Sequence, residues 1–343
     1  MIILAIETSC DDTGVSVVRT EGKKISILSN IVSSQVKLHA KYGGVYPSLA
    51  KREHQKNLPV VFRKALKEAG NPKVDLVAVT IGHGLEPCLW MGVNFAKELA
   101  KKLKLSVVPV NHIEAHILVN FFDRSAKFIF PAMCLVVSGG HTGLILMEGV
   151  GKYRLIGETR DDAAGECFDK TARILGLGYP GGPEIAAQAA KYNIRNTKYH
   201  IQLPRPMISQ KNYDFSFSGL KTAVLYDFKN RPKKIRESKE YIQEMASEIQ
   251  QAAIDVLLKK TVKAAKDFRV KTVILGGGVL ANKELRKQFK NEIKKELPKV
   301  QLLMPSINMA TDNAAMVGIA AYFNRKKRRS WQQIKALANL RIK

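Results

Sequence analysis

Short apolar runs alternate with longer amphipathic stretches along this chain, and the whole order plays through twice. Ile2–Ile6 is a continuous apolar run of strand length, closed by the polar turn Glu7–Asp12, and predicts a buried strand. Gly14–Arg19 and Ile25–Asn30 predict two more strands. Ser48–Ala69 has helical spacing and stops at Gly70, a C′ glycine with Pro72 just beyond it. Leu76–Ile81 then reads as a strand, Val93–Leu103 as a helix, Val107–Val110 as a strand and His112–Phe122 as a helix. From Cys134 the pattern restarts. Cys134–Val137, Gly143–Met147 and Tyr153–Glu158 predict strands, with the small-residue turn Ser138–Thr142 after the first. Helices are expected over Gly165–Leu175, Tyr241–Lys266, Asn282–Leu297 and Asp312–Tyr322, and a strand over Thr272–Leu275.

The two rounds match in detail. LAIETSCDDTGVSVV and CLVVSGGHTGLILM each give a strand, a polar or glycine turn and a strand opened by Thr-Gly, which implies an internal duplication rather than a short repeat. The fold class expected is α/β, with two duplicated lobes around a central cleft. A length of 343 residues fits two domains at about 150 residues each. The first lobe is assigned to 1–130, with a C-terminal helix at 324–343 returning to it, and the second to 131–323. No Pro/Gly/Ser linker or low-complexity tract interrupts the chain.

Charge adds a partner class. Lys plus Arg is 56 against 30 for Asp plus Glu, a formal charge of +26 with histidine neutral. That surplus favours polyanions such as nucleic acid, through release of condensed counterions. Lys229–Lys239 and Arg325–Arg329 are the main basic blocks, and each reads either as a solvated loop or as a docking surface. Cys10, Cys88, Cys134 and Cys167 form no CxxC pair, which argues against a disulfide framework or a structural zinc site and for a reducing compartment. The N-terminal stretch lacks a basic n-region and meets acids at once, so neither a signal peptide nor an anchor is expected. No apolar run approaches the roughly 18 residues of a membrane span. A cytoplasmic protein without a membrane partner is the expectation.

Several motifs can carry chemistry. His112 and His116, in NHIEAH, stand four apart on a predicted helix, which puts both imidazoles on one face where one ion can bridge them. A zincin would need glutamate directly after the first histidine, and Ile113 stands there instead. Asp312, in ATDNAAM, is the candidate third ligand; its alternative role is helix N-cap. Glycines in Ser138–Gly143 free backbone N–H groups to close on an anion, and the matching first-lobe turn carries Glu7, Thr8, Ser9, Asp11 and Asp12. Gly276–Gly278 forms a strand-to-helix turn before Asn282 without the full dinucleotide spacing. Tyr179–Pro183 is a rigid turn.

Taken in order, ETSCDDTG, YGGVYPSLAKREH, NHIEAH, VVSGGHT, GECFDKTARILGLGYPGGP, FSFSGLKTA, GGGVLAN and ATDNAAM resemble the catalytic subunit of tRNA N6-adenosine threonylcarbamoyltransferase, also known as glycoprotease-like, from about residue 2 to about residue 322. The wording is closer to the bacterial and organellar branch than to the archaeal one. The resemblance implies an actin-like, Hsp70-like ATPase fold. By position it implies His112, His116 and Asp312 as ligands of one divalent metal, iron with zinc as the alternative. It implies Val136, Val137, Ser138, Gly139, Gly140, Asp169, Gly182 and Asn282 as substrate or nucleotide contacts, with Asp11 catalytic. The implied substrates are threonylcarbamoyl-adenylate and the adenosine 3′ of the anticodon in tRNAs that read codons starting with A, with AMP released and an ATP- or AMP-type nucleotide held in the cleft. The implied partners are tRNA and accessory proteins, among them a paralogous actin-like subunit and a small ATPase.

Some positions depart from the family pattern. GHGLEPCLWMG places His83, Glu86 and Trp90 in a loop where the family shows Gly-Pro-Gly-Leu and small residues. Ala186 stands where many members carry aspartate, and Asp12 replaces a common glutamate. A metalloprotease and an actin-like nucleotide-dependent scaffold are the rival readings. The first lacks its glutamate, and the second leaves both histidines without a task.

Overall fold

Apolar strands whose neighbours in sequence are also apolar form the middle of two sheets. The computed structural model describes residues 1–122, 129–193 and 197–342, in two units, Met1–Phe128 with Pro305–Lys343 and Ile129–Met304.

In the first unit β1 (Ile2–Glu7) pairs antiparallel with β2 (Asp12–Glu21), which pairs antiparallel with β3 (Lys24–Ser34). On its other side β1 runs parallel to β4 (Leu76–Gly82), and β4 to β5 (Val107–Asn111), giving the order β3-β2-β1-β4-β5. A short helix α1 (Val36–Ala40) precedes α2 (Pro47–Glu68). Helix α2 presents Ala50, Leu58, Val61 and Ala65 to the core, and α3 (Glu86–Leu103) presents Val93, Ala96 and Ala100. The buried Leu4, Ile6, Val15, Val17, Val77 and Val79 meet them from the sheet. Burial of each such Leu, Ile or Val side chain stabilises the fold by about 1.5–3 kcal/mol. Helix α4 (His112–Leu118) follows β5 directly.

In the second unit β6 (Ala132–Val137), β7 (Thr142–Gly149) and β8 (Lys152–Glu158) repeat the antiparallel meander. Strand β6 pairs parallel with β9 (Thr272–Gly276), and β9 with β10 (Gln301–Leu303). The order β10-β9-β6-β7-β8 is that of the first sheet, strand for strand. The helices are α5 (Ala164–Ile174), α6 (Gly181–Ala189), α7 (Ser218–Asn230), α8 (Lys233–Arg236), α9 (Lys239–Asp267) and α10 (Lys283–Glu296). The common topology bears out the duplicated α/β organisation.

Two assignments need correction. Residues 305–323, expected in the second lobe, pack with the first unit. Their helix α11 (Ala314–Phe323) is buried from Ala314 to Ala321 and lies on β1 and β2, where a Cβ on Gly318 would meet Val18 and Ala5. An almost purely apolar helix needs cover all round, and this sheet supplies it. The tail beyond it is not a helix. It makes the 3-10 turns Arg325–Lys327 and Trp331–Gln333 and then runs along the end of β4, with Leu337 N donating to Ile81 O (2.6 Å) and Gly84 N to Ala338 O (3.1 Å). Its main-chain groups find partners there instead of within a helix. Buried Ile334 joins the first core.

Candidate metal centre and phosphate turns

Strand β5 turns into α4 without a loop because the Asn111 side chain accepts hydrogen bonds from Ile113 N (2.9 Å) and Glu114 N (3.2 Å). His112 and His116 thus occupy the first and fifth positions of a short helix whose residues are all buried, with the rings edge to face 4.6 Å apart. His116 Nε2 lies 3.0 Å from Asp312 Oδ1, and His112 Nε2 lies 3.6 Å from the same oxygen. One donor atom from each residue lies within 4.8 Å of the other two. Asp312 is not the cap of α11. Asn313 takes that role, its side chain accepting from Met316 N at 3.1 Å, and the Asp312 carboxylate faces the histidines.

Behind His112 sits a residue missed in the sequence reading of ligands. Glu7, fully buried at the end of β1, places Oε2 3.3 Å from His112 Nδ1 and accepts hydrogen bonds from Thr80 Oγ1 and Ser9 N, each at 2.6 Å. A carboxylate on one ring nitrogen fixes the tautomer and aims the other nitrogen outward, the arrangement found behind metal-bound histidines. The one sequence signal was an acid closing the apolar run IILAI.

The charges are arranged for a cation. Burial alone would depress the His112 pKa, but Asp312 and Glu7 outweigh it and push it up to about 9. Burial would raise Glu7, and His112 holds it below its ordinary value. Asp11 and Asp12 stand higher than ordinary carboxyls, first through burial and then through repulsion by Asp312, and Asp12 reaches about 7. Two imidazoles and a carboxylate beside further crowded acids fit a divalent metal, with coordination positions left for substrate. The cluster is compatible with a metal site. Ile113 directly follows His112 where a zincin base would stand, and Glu114 accepts a hydrogen bond from Asn324 Nδ2 at 2.9 Å.

The first turn is braced from several sides. His54 Nε2 meets Cys10 O at 2.9 Å and its Nδ1 meets Thr13 Oγ1 at 2.8 Å, which brackets Asp11 and Asp12. Leu85 N donates to Ser9 O at 2.8 Å and Thr8 Oγ1 to Cys88 O at 2.9 Å. The divergent loop at His83–Trp90 is therefore a support of this turn.

In the second unit Ser138 N donates to His141 O (2.8 Å) and His141 N to Ser138 Oγ (3.1 Å), closing the glycine turn. Open space faces the Cβ positions of Gly139, Gly140 and Gly182. The N-terminus of α5 abuts this turn so closely that a Cβ on Gly165 would lie 2.6 Å from Ser138 O. Ala164 N and Gly165 N of α5 are spent on Thr142 Oγ1 (2.9 Å) and Ser138 O (3.3 Å), so the turn offers an anion the main-chain N–H groups of Gly139 and Gly140, with the positive end of α5 beside them. Val136 and Val137 are buried, so their side chains serve the core and only their backbone is available to a ligand. Gly277 passes against Val137 O at φ +96, a place for glycine alone. Asp169 Oδ1 accepts from Gly181 N at 2.6 Å and fixes the start of α6. Asn282 caps α10 through Leu285 N (2.9 Å) and donates to Gln250 Oε1 (2.7 Å). The residues expected to hold metal thus gather in the first unit, and those expected to hold nucleotide lie in the second, on the β6–β7 turn, in α5, at the start of α6 and at the cap of α10.

A family model described as tRNA N6-adenosine threonylcarbamoyltransferase matches residues 26–319. The chain belongs to this family. Bacterial members bearing that name are similar over nearly their full length. The Thermosipho africanus protein is 45% identical over 350 residues, covering 100% of both chains. That of Thermosipho melanesiensis is 48% identical, covering 94% of each, and that of Geobacillus thermodenitrificans is 47% identical, covering 93% of this chain and 90% of its own. Solved structures agree on the actin-like fold. Full-length HypF in its phosphate- and nucleotide-bound form gives a TM-score of 0.58 at 12% identity, covering 95% of this chain and 46% of that one. ROK hexokinase from Thermus thermophilus gives 0.50 at 16% identity, covering 95% and 99%. This threonylcarbamoyltransferase-family chain keeps its four cysteines as free thiols. Among the described residues no helix is long and apolar enough to cross a membrane.

Proposed function

We propose that this chain transfers the threonylcarbamoyl group of threonylcarbamoyl-adenylate to the exocyclic amine of the adenosine 3′ of the anticodon in tRNAs that read codons starting with A. The reading is carried by the His112–His116–Asp312 cluster in a chain of this family. In the reaction a bond forms between the amine nitrogen and the carbamoyl carbon, the bond from that carbon to the phosphate oxygen breaks, and AMP leaves. The amine proton passes to a carboxylate, and Asp11 takes that role: its raised pKa brings it nearer the working pH than an ordinary aspartate. Main-chain N–H groups of Gly139 and Gly140, with the Ser138 hydroxyl and the positive end of α5 beside them, hold the phosphate, Asp169 keeps Gly182 in place by holding Gly181 N, and Asn282 orients the nucleotide. His112, His116 and Asp312 hold one divalent metal, iron or zinc, with Glu7 keeping His112 in the ligating tautomer. When bound, that metal supplies a Lewis acid for an oxygen of the substrate.

The protein works in the cytoplasm on tRNA, together with accessory proteins that include a paralogous actin-like subunit and a small ATPase. Support for a polyanionic substrate comes from the +26 charge. The deciding experiment complements a strain lacking the modification and analyses its tRNA nucleosides by mass. Threonylcarbamoyladenosine reappears with this chain and not with its His112→Ala variant; failure to reappear in a strain that expresses folded protein and all partners refutes the activity.

A further inference from the structure

The two basic blocks are not alike in three dimensions. In Lys229–Lys239, Arg231 pairs with Asp227 at 3.2 Å and Arg236 stacks over Phe228 with its Nε buried, so the block partly neutralises and packs itself. In Arg325–Arg329 all five side chains are exposed, and among the described residues none of them forms an ion pair with a carboxylate. Yet the segment is fixed. Lys327 N donates to Asn324 O at 2.7 Å, and Arg329 exchanges both main-chain hydrogen bonds with Val107 of the edge strand β5, at 2.8 and 2.9 Å. Arg325 lies over the Tyr322 ring, 4.5 Å from its centre, and donates to Tyr322 O.

Three of these cations border a hollow. Met1, Leu76, Arg325, Lys326 and Arg328 line a pocket of about 370 Å³. The acid beside it, Asp75, turns its carboxylate onto Ile2 N at 2.7 Å. Five adjacent uncompensated cations repel one another, and a fold that fixes their main chain and sets three of them around a pocket gains only when an anion arrives. Guanidinium forks suit phosphate oxygens best.

The location says which phosphates. Helix α11 separates Asp312 from Arg325 by ten helical residues, about 15 Å. Strand β5 carries Val107 at one end and leads into His112 at the other, five residues and again about 15 Å. The basic turn therefore lies at the opposite end of both elements from the metal ligands. It is too far away to touch the reacting base and is placed to meet the body of a large polyanion.

We propose that the Arg325–Arg329 turn and its pocket bind the phosphate backbone of the tRNA substrate, away from the modified base. This rests on the tRNA-modifying reading given above. Paired RNA offers chiefly phosphates and sugar hydroxyls to such a surface, so contact there is independent of sequence.

Filter binding of a full tRNA transcript over a salt series tests it, with R325E/K326E/R328E, K233E/K234E and wild-type proteins carrying equal metal. The triple reversal lowers affinity at low salt by tenfold or more and flattens the log–log salt slope by about 2–3, as expected for three lost phosphate contacts. K233E/K234E keeps the wild-type slope. Wild-type affinity and slope in the triple reversal overturn the proposal. So does a triple reversal that loses retention on phosphatidylglycerol vesicles but keeps tRNA binding, which would assign the turn to a membrane surface. If wild type makes modified nucleoside in cells yet binds tRNA without salt dependence, this surface falls and the activity stands. If it neither binds tRNA nor makes the nucleoside, both fall.

Discussion

The hairpin from Glu7 to Gly14 and the hairpin from Val136 to Gly143 share a backbone plan and differ in almost every functional group. Glu7 pairs with Gly14 across β1 and β2, and Val136 pairs with Gly143 across β6 and β7, so the connections are of equal length. In that register Asp11 corresponds to Gly140, Asp12 to His141 and Glu7 to Val136. The first turn is crowded with acids, braced by His54 and the β4–α3 loop, and its carboxyls are shifted by burial and mutual repulsion. The second is open above Gly139 and Gly140, and the polar groups it offers are the main-chain N–H groups of those two glycines. One scaffold duplicated thus yields two opposite electrostatic environments, one suited to a cation and the other to an anion. Side chains at four or five positions decide which.

That contrast can be broken at the cation end first. His112→Ala or His116→Ala abolishes stoichiometric metal and lowers transfer activity by a hundredfold or more, because a two-donor remnant no longer holds the ion. Metal per protein by mass spectrometry, with circular dichroism as the folding control, checks this, and full activity in a folded metal-free variant removes the assignment.

Next comes the anion end. Gly140→Val projects a branched side chain into the open space of the second turn and weakens AMP binding tenfold or more, while tRNA affinity and metal content stay as in wild type. Calorimetry with AMP reads the effect, and equal losses for AMP and tRNA would point to misfolding.

Glu7→Gln sharpens the link between turn and metal. The shape and the Thr80 bond persist, but the negative charge on His112 Nδ1 goes, and metal affinity falls about 10- to 100-fold in a chelator competition. An unchanged affinity would reduce Glu7 to a packing residue.

The smallest effect is on stability. Asp12 titrates at about 7 in the fold against 3.8 in the unfolded chain, so the native state holds its proton more tightly. Its contribution is fully favourable below about pH 4 and is lost as pH rises through 7. Asp12→Asn therefore stabilises the metal-free protein by about 2 kcal/mol at pH 8 and by nothing measurable at pH 4. Urea midpoints at the two pH values decide it, and an equal gain at both would separate the effect from ionisation.

Much of this was legible in one dimension because it depends on neighbours in sequence. Strand and helix periods placed β1 to β9 and the long helices, Thr-Gly marked the two hairpins, and the spacing of His112 and His116 set one face of a helix. Short or weakly patterned elements escaped: β10 has three residues, and α6 and α7 begin inside glycine- and serine-rich turns. What spans the chain required the folded molecule. Asp312 meets His116 from 196 residues away, and Glu7 meets His112 across 105. No local period encodes such pairs. They arise because β1, β4 and β5 lie side by side and α11 packs against them, so distant residues meet at the C-terminal ends of adjacent strands. The same geometry moved α11 and the tail into the first unit, since an all-round apolar helix settles where apolar cover exists, whatever its place in the sequence. The sequence by itself determined the elements and the chemical vocabulary of each turn; the tertiary structure alone decided which groups face one another, because contact depends on strand order and packing rather than on spacing along the chain.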